Sequence, residues 1–439
     1  MIGAGPTGLA AARALQRYGI EWHGYELASN VGGLWNIEGP RSTMYESAHL
    51  ISSKTTTQFD EFPMRDEVAD YPSHRDLREY FTDFANHFGL INGFSFETEV
   101  VATDVINDGQ NGDGWLVTTR GADGVEATHQ HAGVIAANGT LSEPTIPTFA
   151  GGFGGEIMHT SAYKSPRVFT DKRVLIIGAG NSGCDIAVDA VHHAKSIDMS
   201  VRRGYYFVPK YLFGKPADTL NSGKPLPPKI KQAIDTRILR QFTGDPSRFG
   251  FPKPDYKIYE SHPIVNSLVL HHAGHGDLKV RPDVDRFEET GVRFKDGSFT
   301  EYDLIVLATG YRLHYPFLDK AHLNWGGQSP DLYLNIFPPN TPDLFILGML
   351  ESSGIGWQGR YAQAELLASY LKARTANPEA AAALEAKFAG PRPDVTGGYN
   401  YLALERMSYY VNKHAYVSVL AEELQALNVA PKVPIGAQA

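Results

Sequence analysis

Lys172-Arg173-Val174-Leu175-Ile176-Ile177-Gly178-Ala179-Gly180-Asn181-Ser182-Gly183 (KRVLIIGAGNSG, residues 172–183) is an apolar, β-branched run that passes directly into glycines spaced G-x-G-x-x-G. Cys184 to Ala194 (CDIAVDAVHHA) reads as the helix that follows. A strand ending on such a turn aims the first N–H groups of the next helix at a diphosphate, and the glycines let the backbone come close to it. The next strand is predicted over Ser196 to Val201. Eighteen residues after the last glycine, where an acid would accept hydrogen bonds from a ribose, stands Val201, and Arg202 and Arg203 follow at once. A guanidinium pairs with a 2'-phosphate, so Gly178, Gly180, Asn181, Ser182, Gly183, Arg202 and Arg203 are read as an NADPH site, with NADH less favoured. The competing reading leaves both arginines as solvated surface charges.

The same spacing recurs at the start of the chain, where MIGAGPTGLAA (residues 1–11) contains Gly3, Gly5 and Gly8. Only Met1 and Ile2 stand before it. That is too short for the strand that should aim the turn, so the natural chain is expected to begin several residues earlier, with an apolar strand. Downstream the parts are in order. Leu9 to Tyr18 (LAAARALQRY) reads as a helix stopped by Gly19, Ile20 to Leu27 as a strand, and Glu26 lies 18 residues after Gly8, placed to meet ribose hydroxyls. One turn followed by an acid and another followed by arginines suggest two unlike nucleotides. FAD is expected at the first and NADPH at the second, with hydride passing between them.

Composition bounds the remaining possibilities. At 439 residues the chain exceeds the roughly 250 to 300 at which a single core stops growing, so two domains are expected. A net charge of -9, with no basic run beyond Arg202-Arg203, argues against nucleic acid and membrane as partners. No apolar stretch approaches the roughly 18 to 20 residues of a membrane span, and no charged segment followed by an apolar one opens the chain, so a cytoplasmic protein is expected. The single cysteine, Cys184, excludes an internal disulfide and with it the pyridine nucleotide-disulfide reductases, which need two redox cysteines. Oligomeric state is left open, with a homodimer as one option.

The expected architecture is α/β, two Rossmann-like dinucleotide-binding domains with a small antiparallel β flap. Residues 1–165 plus 305–439 form a discontinuous FAD-binding domain, and 166–304 an NADPH-binding domain inserted in it. Ser73 caps a helix from His74 to about Phe88, whose Leu77, Tyr80, Phe81, Phe84 and Phe88 make a core stripe. Strands near Glu97 to Val105 and Gly114 to Arg120, ending in Gly133 to Ala137, are read as the flap. Residues 205–260, rich in Pro, Lys and aromatics, are read as an insertion shaping the substrate entrance. Leu304 to Leu307 and Leu344 to Leu347 are read as the chain returning to the first domain, with helices over Tyr361 to Ala373 and Glu379 to Lys387. No metal site is expected. His271, His272 and His275 lack a third or fourth ligand in the sequence and read as surface histidines.

Phe153-Gly154-Gly155-Glu156-Ile157-Met158-His159-Thr160-Ser161-Ala162-Tyr163 resembles F-x-G-x-x-x-H-x-x-x-[YF], the fingerprint of flavin-containing monooxygenases among the class B flavoprotein monooxygenases; related Baeyer-Villiger enzymes usually end it in Trp. Gly32-Gly33-Leu34-Trp35, Asn181-Ser182-Gly183, Ala308-Thr309-Gly310-Tyr311 and Gln358-Gly359-Arg360-Tyr361 extend the resemblance along nearly the whole chain. It implies FAD contacts at Gly3, Gly5, Pro6, Thr7, Gly8, Glu26, Gly33, Leu34, Trp35 and Gln358. It also implies a mechanism: NADPH reduces FAD, the reduced flavin adds O2 to give a C4a-hydroperoxyflavin, and this oxygenates a nucleophilic N or S of a small molecule. Gly155 and His159 are expected to be structural. One departure stands out. Where the family usually carries N-x-x-K, this chain has Ile51-Ser52-Ser53-Lys54, and isoleucine donates no hydrogen bond. Either Ser52 or Ser53 substitutes near the flavin and NADP, or coupling is poor and H2O2 is released. The alternatives are a Baeyer-Villiger monooxygenase or weakly coupled NADPH oxidase, and a nucleotide-binding protein without flavin catalysis.

Overall fold

Each glycine turn sits on its own parallel sheet in the computed structural model, which describes residues 1–106, 114–221 and 225–438. In the first sheet Gly24–Tyr25 pairs with Phe94–Ser95, and Val134–Ala136 pairs with Leu344–Ile346. Ile2 bridges Tyr25 on one side and Ala136 on the other, so a single residue joins the two halves beneath the turn. The strand expected over Ile20–Leu27 is only Gly24–Tyr25, because its outer neighbour is itself two residues long. Val134–Ala136, expected in the flap, is buried throughout and lies in this parallel sheet instead. The flap consists of Glu99–Ile106, Gly114–Arg120 and a third antiparallel strand, Glu126–His131. That third strand (EATHQH) is exposed along most of its length and carries no apolar alternation to signal it.

The second sheet is parallel throughout, in the order 278–281, 196–200, 173–177, 304–307, 156–159. Leu304–Leu307, expected in the first domain, therefore belongs here, as does Glu156–His159 of the fingerprint segment. The expected boundaries at 165/166 and 304/305 leave both strands wholly or partly on the other side. The strand entrances are clasped together. Asp303 accepts hydrogen bonds from the Arg173 backbone N–H at 2.7 Å and from its guanidinium at 2.7 Å, and returns one from its own N–H to the Arg173 carbonyl.

This clasp carries a pH signature. Hydrogen bonds from Arg173 hold the Asp303 carboxyl down at about 2, against an ordinary 3.8. A carboxyl depressed in the folded state stabilises it fully above the ordinary value, and that contribution is lost as pH falls from about 4 to 2. Urea midpoints measured across that window should fall less steeply for Asp303→Asn than for the unaltered protein. Parallel curves would show that the clasp adds nothing to acid stability.

Helix Pro6–Tyr18, ended by Gly19 in the left-handed conformation, packs against the long helix Gln358–Ala376. Beside it, His74–His87 begins with a reciprocal cap between Ser73 and Asp76 and sends Leu77, Tyr80, Phe81 and Phe84 into the first core. The insertion holds a hairpin at Tyr211–Leu212 and Lys215–Pro216, and helix Pro228–Thr243. Among the described residues no helix is long and apolar enough to cross a membrane.

Candidate functional site

Both glycine turns open into one cavity of about 2000 Å3. The helices that start at Pro6 and Asn181 each follow a glycine at the N-cap, with no side-chain cap and no acid in the first turn. His74–His87, by contrast, closes its own N-terminus with Ser73 and Asp76. Uncapped N–H groups at the positive end of a helix dipole are what a diphosphate takes up, so both ends fit a dinucleotide. The glycines suit the same purpose. A Cβ on Gly8 would lie 1.9 Å from the Gly3 carbonyl oxygen, and one on Gly183 would lie 2.3 Å from the Gly178 carbonyl oxygen, so each helix can approach its turn only without side chains there.

The residues expected to hold FAD divide. Gly3, Gly5, Pro6, Thr7, Glu26, Gly33, Leu34 and Trp35 line the cavity. Glu26 is buried and accepts the N–H groups of Ala4 at 2.6 Å and Ala28 at 2.8 Å. Burial raises its carboxyl above the ordinary range, and these donors only partly offset that. Gly8 lies behind the turn and acts through close packing. Gln358 does not reach the cavity, because its Oε1 accepts the backbone N–H of Asp60 at 3.2 Å.

At the second turn Gly180, Asn181, Ser182, Gly183 and Arg202 line the cavity, while Gly178 and Arg203 do not. The two arginines have different surroundings. Arg202 is exposed, whereas Arg203 grips Asp255 through two hydrogen bonds of 2.9 and 3.1 Å and lies over the Tyr256 ring. The Asn181 side chain is also engaged, accepting from Val265 N–H at 2.8 Å and donating to the Pro263 carbonyl.

Ile51 and Ser52 line the cavity, Ser52 with its Oγ accepting from Thr57 at 2.7 Å. Ser53 turns away from it. It is 1 % exposed and precedes the short helix Lys54–Thr57, with its N–H donating to Asp218 of the insertion. His159 of the fingerprint joins segments, with Nε2 donating to the Gly310 carbonyl and Nδ1 accepting from Ser161 N–H. Tyr163 is fully buried and donates to Asp189 at 2.8 Å.

Other wall residues carried no pattern in the sequence. The insertion supplies an apolar face from Leu212, Phe213, Leu220, Ile234 and Ile238. Also on the wall, Arg406 pairs with Glu351 at 2.8 Å. Burial is the largest influence and works to raise that carboxyl, but the charge and hydrogen bond of Arg406, together with the neighbouring His262 and Arg360, outweigh it and leave Glu351 below the ordinary range. Nearby, Tyr410 bridges Ser353 and His262, and burial pulls His262 down to about 4, so its imidazole stays neutral near neutral pH.

A sequence model described as flavin-binding monooxygenase-like matches residues 1–434. Rabbit (Oryctolagus cuniculus) flavin-containing monooxygenase 5 is 32% identical over 373 residues, covering 81% of this chain and 69% of the rabbit protein. Among solved structures, S-allyl-L-cysteine S-oxygenase from Allium sativum superposes with a TM-score of 0.65 at 22% identity, covering 97% of this chain and 87% of that one. A steroid monooxygenase bound to NADP superposes at 0.69 with 19% identity, covering 97% of each chain. The mixed α/β fold is thus the one found in both structures.

Proposed function

This chain belongs to the flavin-binding monooxygenase-like family, an NADPH-dependent class of flavin monooxygenases, and from that premise we propose that it oxygenates a nucleophilic nitrogen or sulfur of a lipophilic small molecule. The observation that carries this reading is the shared cavity, into which two uncapped helix ends open and which the insertion walls with apolar side chains. FAD at the first turn and NADPH at the second would supply hydride transfer and oxygen activation when bound.

The chain's own residues have simpler tasks. The Gly3–Gly8 turn and Glu26 hold one dinucleotide by its diphosphate and ribose, while the turn at Gly180–Gly183 and Arg202 hold the other. Trp35 and Trp357, edge to face with centroids 6.2 Å apart, close the cavity wall between the first turn and helix Gln358–Ala376. Apolar residues of the insertion keep water from the reacting centre and favour a substrate with apolar bulk. Support for nitrogen or sulfur over ketone chemistry comes from Tyr163 at the end of the fingerprint, where Baeyer-Villiger enzymes usually carry Trp.

The test is a panel of an amine, a sulfide and a ketone offered to flavin-loaded protein with NADPH, with product and peroxide both measured. Oxygenated amine or sulfide is expected. If no product depends on substrate, the monooxygenase reading fails. If the protein stays colourless even with added FAD, flavin catalysis itself is excluded.

A second reading, a weakly coupled oxidase, is favoured by one specific residue. Ile51 lines the cavity where the family usually offers a donor, the Ser53 hydroxyl is turned to Thr55 and Thr56, and of the two serines Ser52 stays on the wall. Ile51→Asn is expected to lower the fraction of NADPH that ends as peroxide by roughly 2- to 10-fold, the worth of one hydrogen bond. An unchanged peroxide fraction would show that this position does not set coupling.

A further inference from the structure

The histidine run at the end of helix Leu268–His275 lacks a further ligand in the sequence, and the fold brings one to it. Gly276 adopts a left-handed conformation (φ 82) at the helix end, and Asp277 follows it beside the last turn. Its Oδ2 lies 3.1 Å from His272 Nδ1 and 3.8 Å from His275 Nδ1. One ligand atom each from His272, His275 and Asp277 fall within 4.8 Å of one another. Ligands bound at about 2.0–2.2 Å around a tetrahedral zinc stand roughly 3.3–3.5 Å apart, so the three atoms need only small movements to share an ion.

The surroundings suit such an ion. His272 is 16% exposed at its side chain and meets the ring of His192 edge-on, with centroids 5.4 Å apart, which steadies its orientation. His275 and Asp277 are exposed and leave a path for entry. None of these residues lines the cavity, so an ion here stands apart from the redox chemistry.

We propose that His272, His275 and Asp277 form a surface site for a zinc-class divalent transition metal, with water in the fourth position. Two neutral imidazoles and one carboxylate are a donor set that zinc accepts, and imidazole favours Zn2+, Cu2+ and Ni2+ over Mg2+ or Ca2+. The ion would fasten the end of helix Leu268–His275 to the start of Leu278–Arg281. That is the edge strand of the second sheet, paired with Ser196–Ser200 just before Arg202.

The test uses untagged, chelator-treated full-length protein, titrated with zinc chloride by calorimetry and with cobalt chloride by visible absorption. One equivalent should bind, cobalt should give a four-coordinate spectrum, and saturating zinc should raise the thermal midpoint. His275→Ala and Asp277→Asn should each weaken binding at least ten-fold and remove the thermal shift, while His271→Ala, in the same run but outside the group, should not. Both altered residues are exposed, so neither change threatens the fold. The proposal is overturned if zinc does not bind, or if it binds equally well to the His275→Ala and Asp277→Asn proteins.

Discussion

Gly8→Ala is expected to give a protein that no longer retains FAD on purification. The added methyl carbon would lie 1.9 Å from the Gly3 carbonyl oxygen, 2.9 Å from its carbon, and 3.9 Å from the Ala137 side chain. The obstructing atoms are backbone, so no rotamer change relieves the clash. Either the turn opens or helix Pro6–Tyr18 moves off it, and both displace the N–H groups that a diphosphate needs. Overpacking of this kind costs about 3 kcal/mol, which corresponds to roughly 100-fold in affinity. Gly152→Ala is the matching control, since a Cβ there meets nothing within 4 Å. Flavin absorbance per protein should collapse in the first variant and persist in the second. Full flavin occupancy in Gly8→Ala would show that the first turn does not seat the nucleotide.

The preference for NADPH over NADH is expected to rest on one arginine of the adjacent pair. Arg202 is exposed on the cavity, whereas the Arg203 guanidinium is already spent on Asp255 and Tyr256. A hydrogen bond to a charged group contributes about 1.5–3 kcal/mol, so Arg202→Gln should reduce the ratio of kcat/KM for NADPH to that for NADH by roughly 10- to 100-fold. Arg203→Gln should leave the ratio within about threefold. Equal losses from the two variants would mean that Asp255 releases Arg203 when the nucleotide binds.

That contrast also shows where the sequence stops being informative. The turn, the strand before it and the helix after it are local, and their pattern is readable at residues 173–191 because apolar run, glycine spacing and helix formers follow one another directly. The capped helix His74–His87 is readable for the same reason. Sheet membership is not local. The run Leu304–Leu307 is apolar enough for either sheet, and its place shows only in pairings across the chain, such as that of Asp303 with Arg173, which lie 130 residues apart. Side-chain direction is likewise hidden. A motif places Gln358 and Ser53 near the flavin, yet the backbone turns Gln358 toward Asp60 and sets Ser53 ahead of a short helix. Helix Pro228–Thr243 buries only Gln232 and Leu239, so it leaves too faint an apolar stripe to be seen beforehand. The nearness of Asp277 to the histidines is hidden in the sequence because a left-handed glycine sets the bend that brings it near.

Cys184, the one thiol in the chain, is 0% exposed, donates to the Ala179 carbonyl and is pushed well above its ordinary pKa by burial. Thiolate is the form that attacks a peroxide oxygen, so a sulfur kept protonated and sealed under the second turn is poorly oxidised. Self-inflicted damage during turnover therefore has to begin elsewhere. The thioether of Met44, on the cavity wall, is exposed to whatever oxidant escapes there. Gradual inactivation should be accompanied by methionine sulfoxide at Met44, recoverable by methionine sulfoxide reductase and indifferent to thiol reductants.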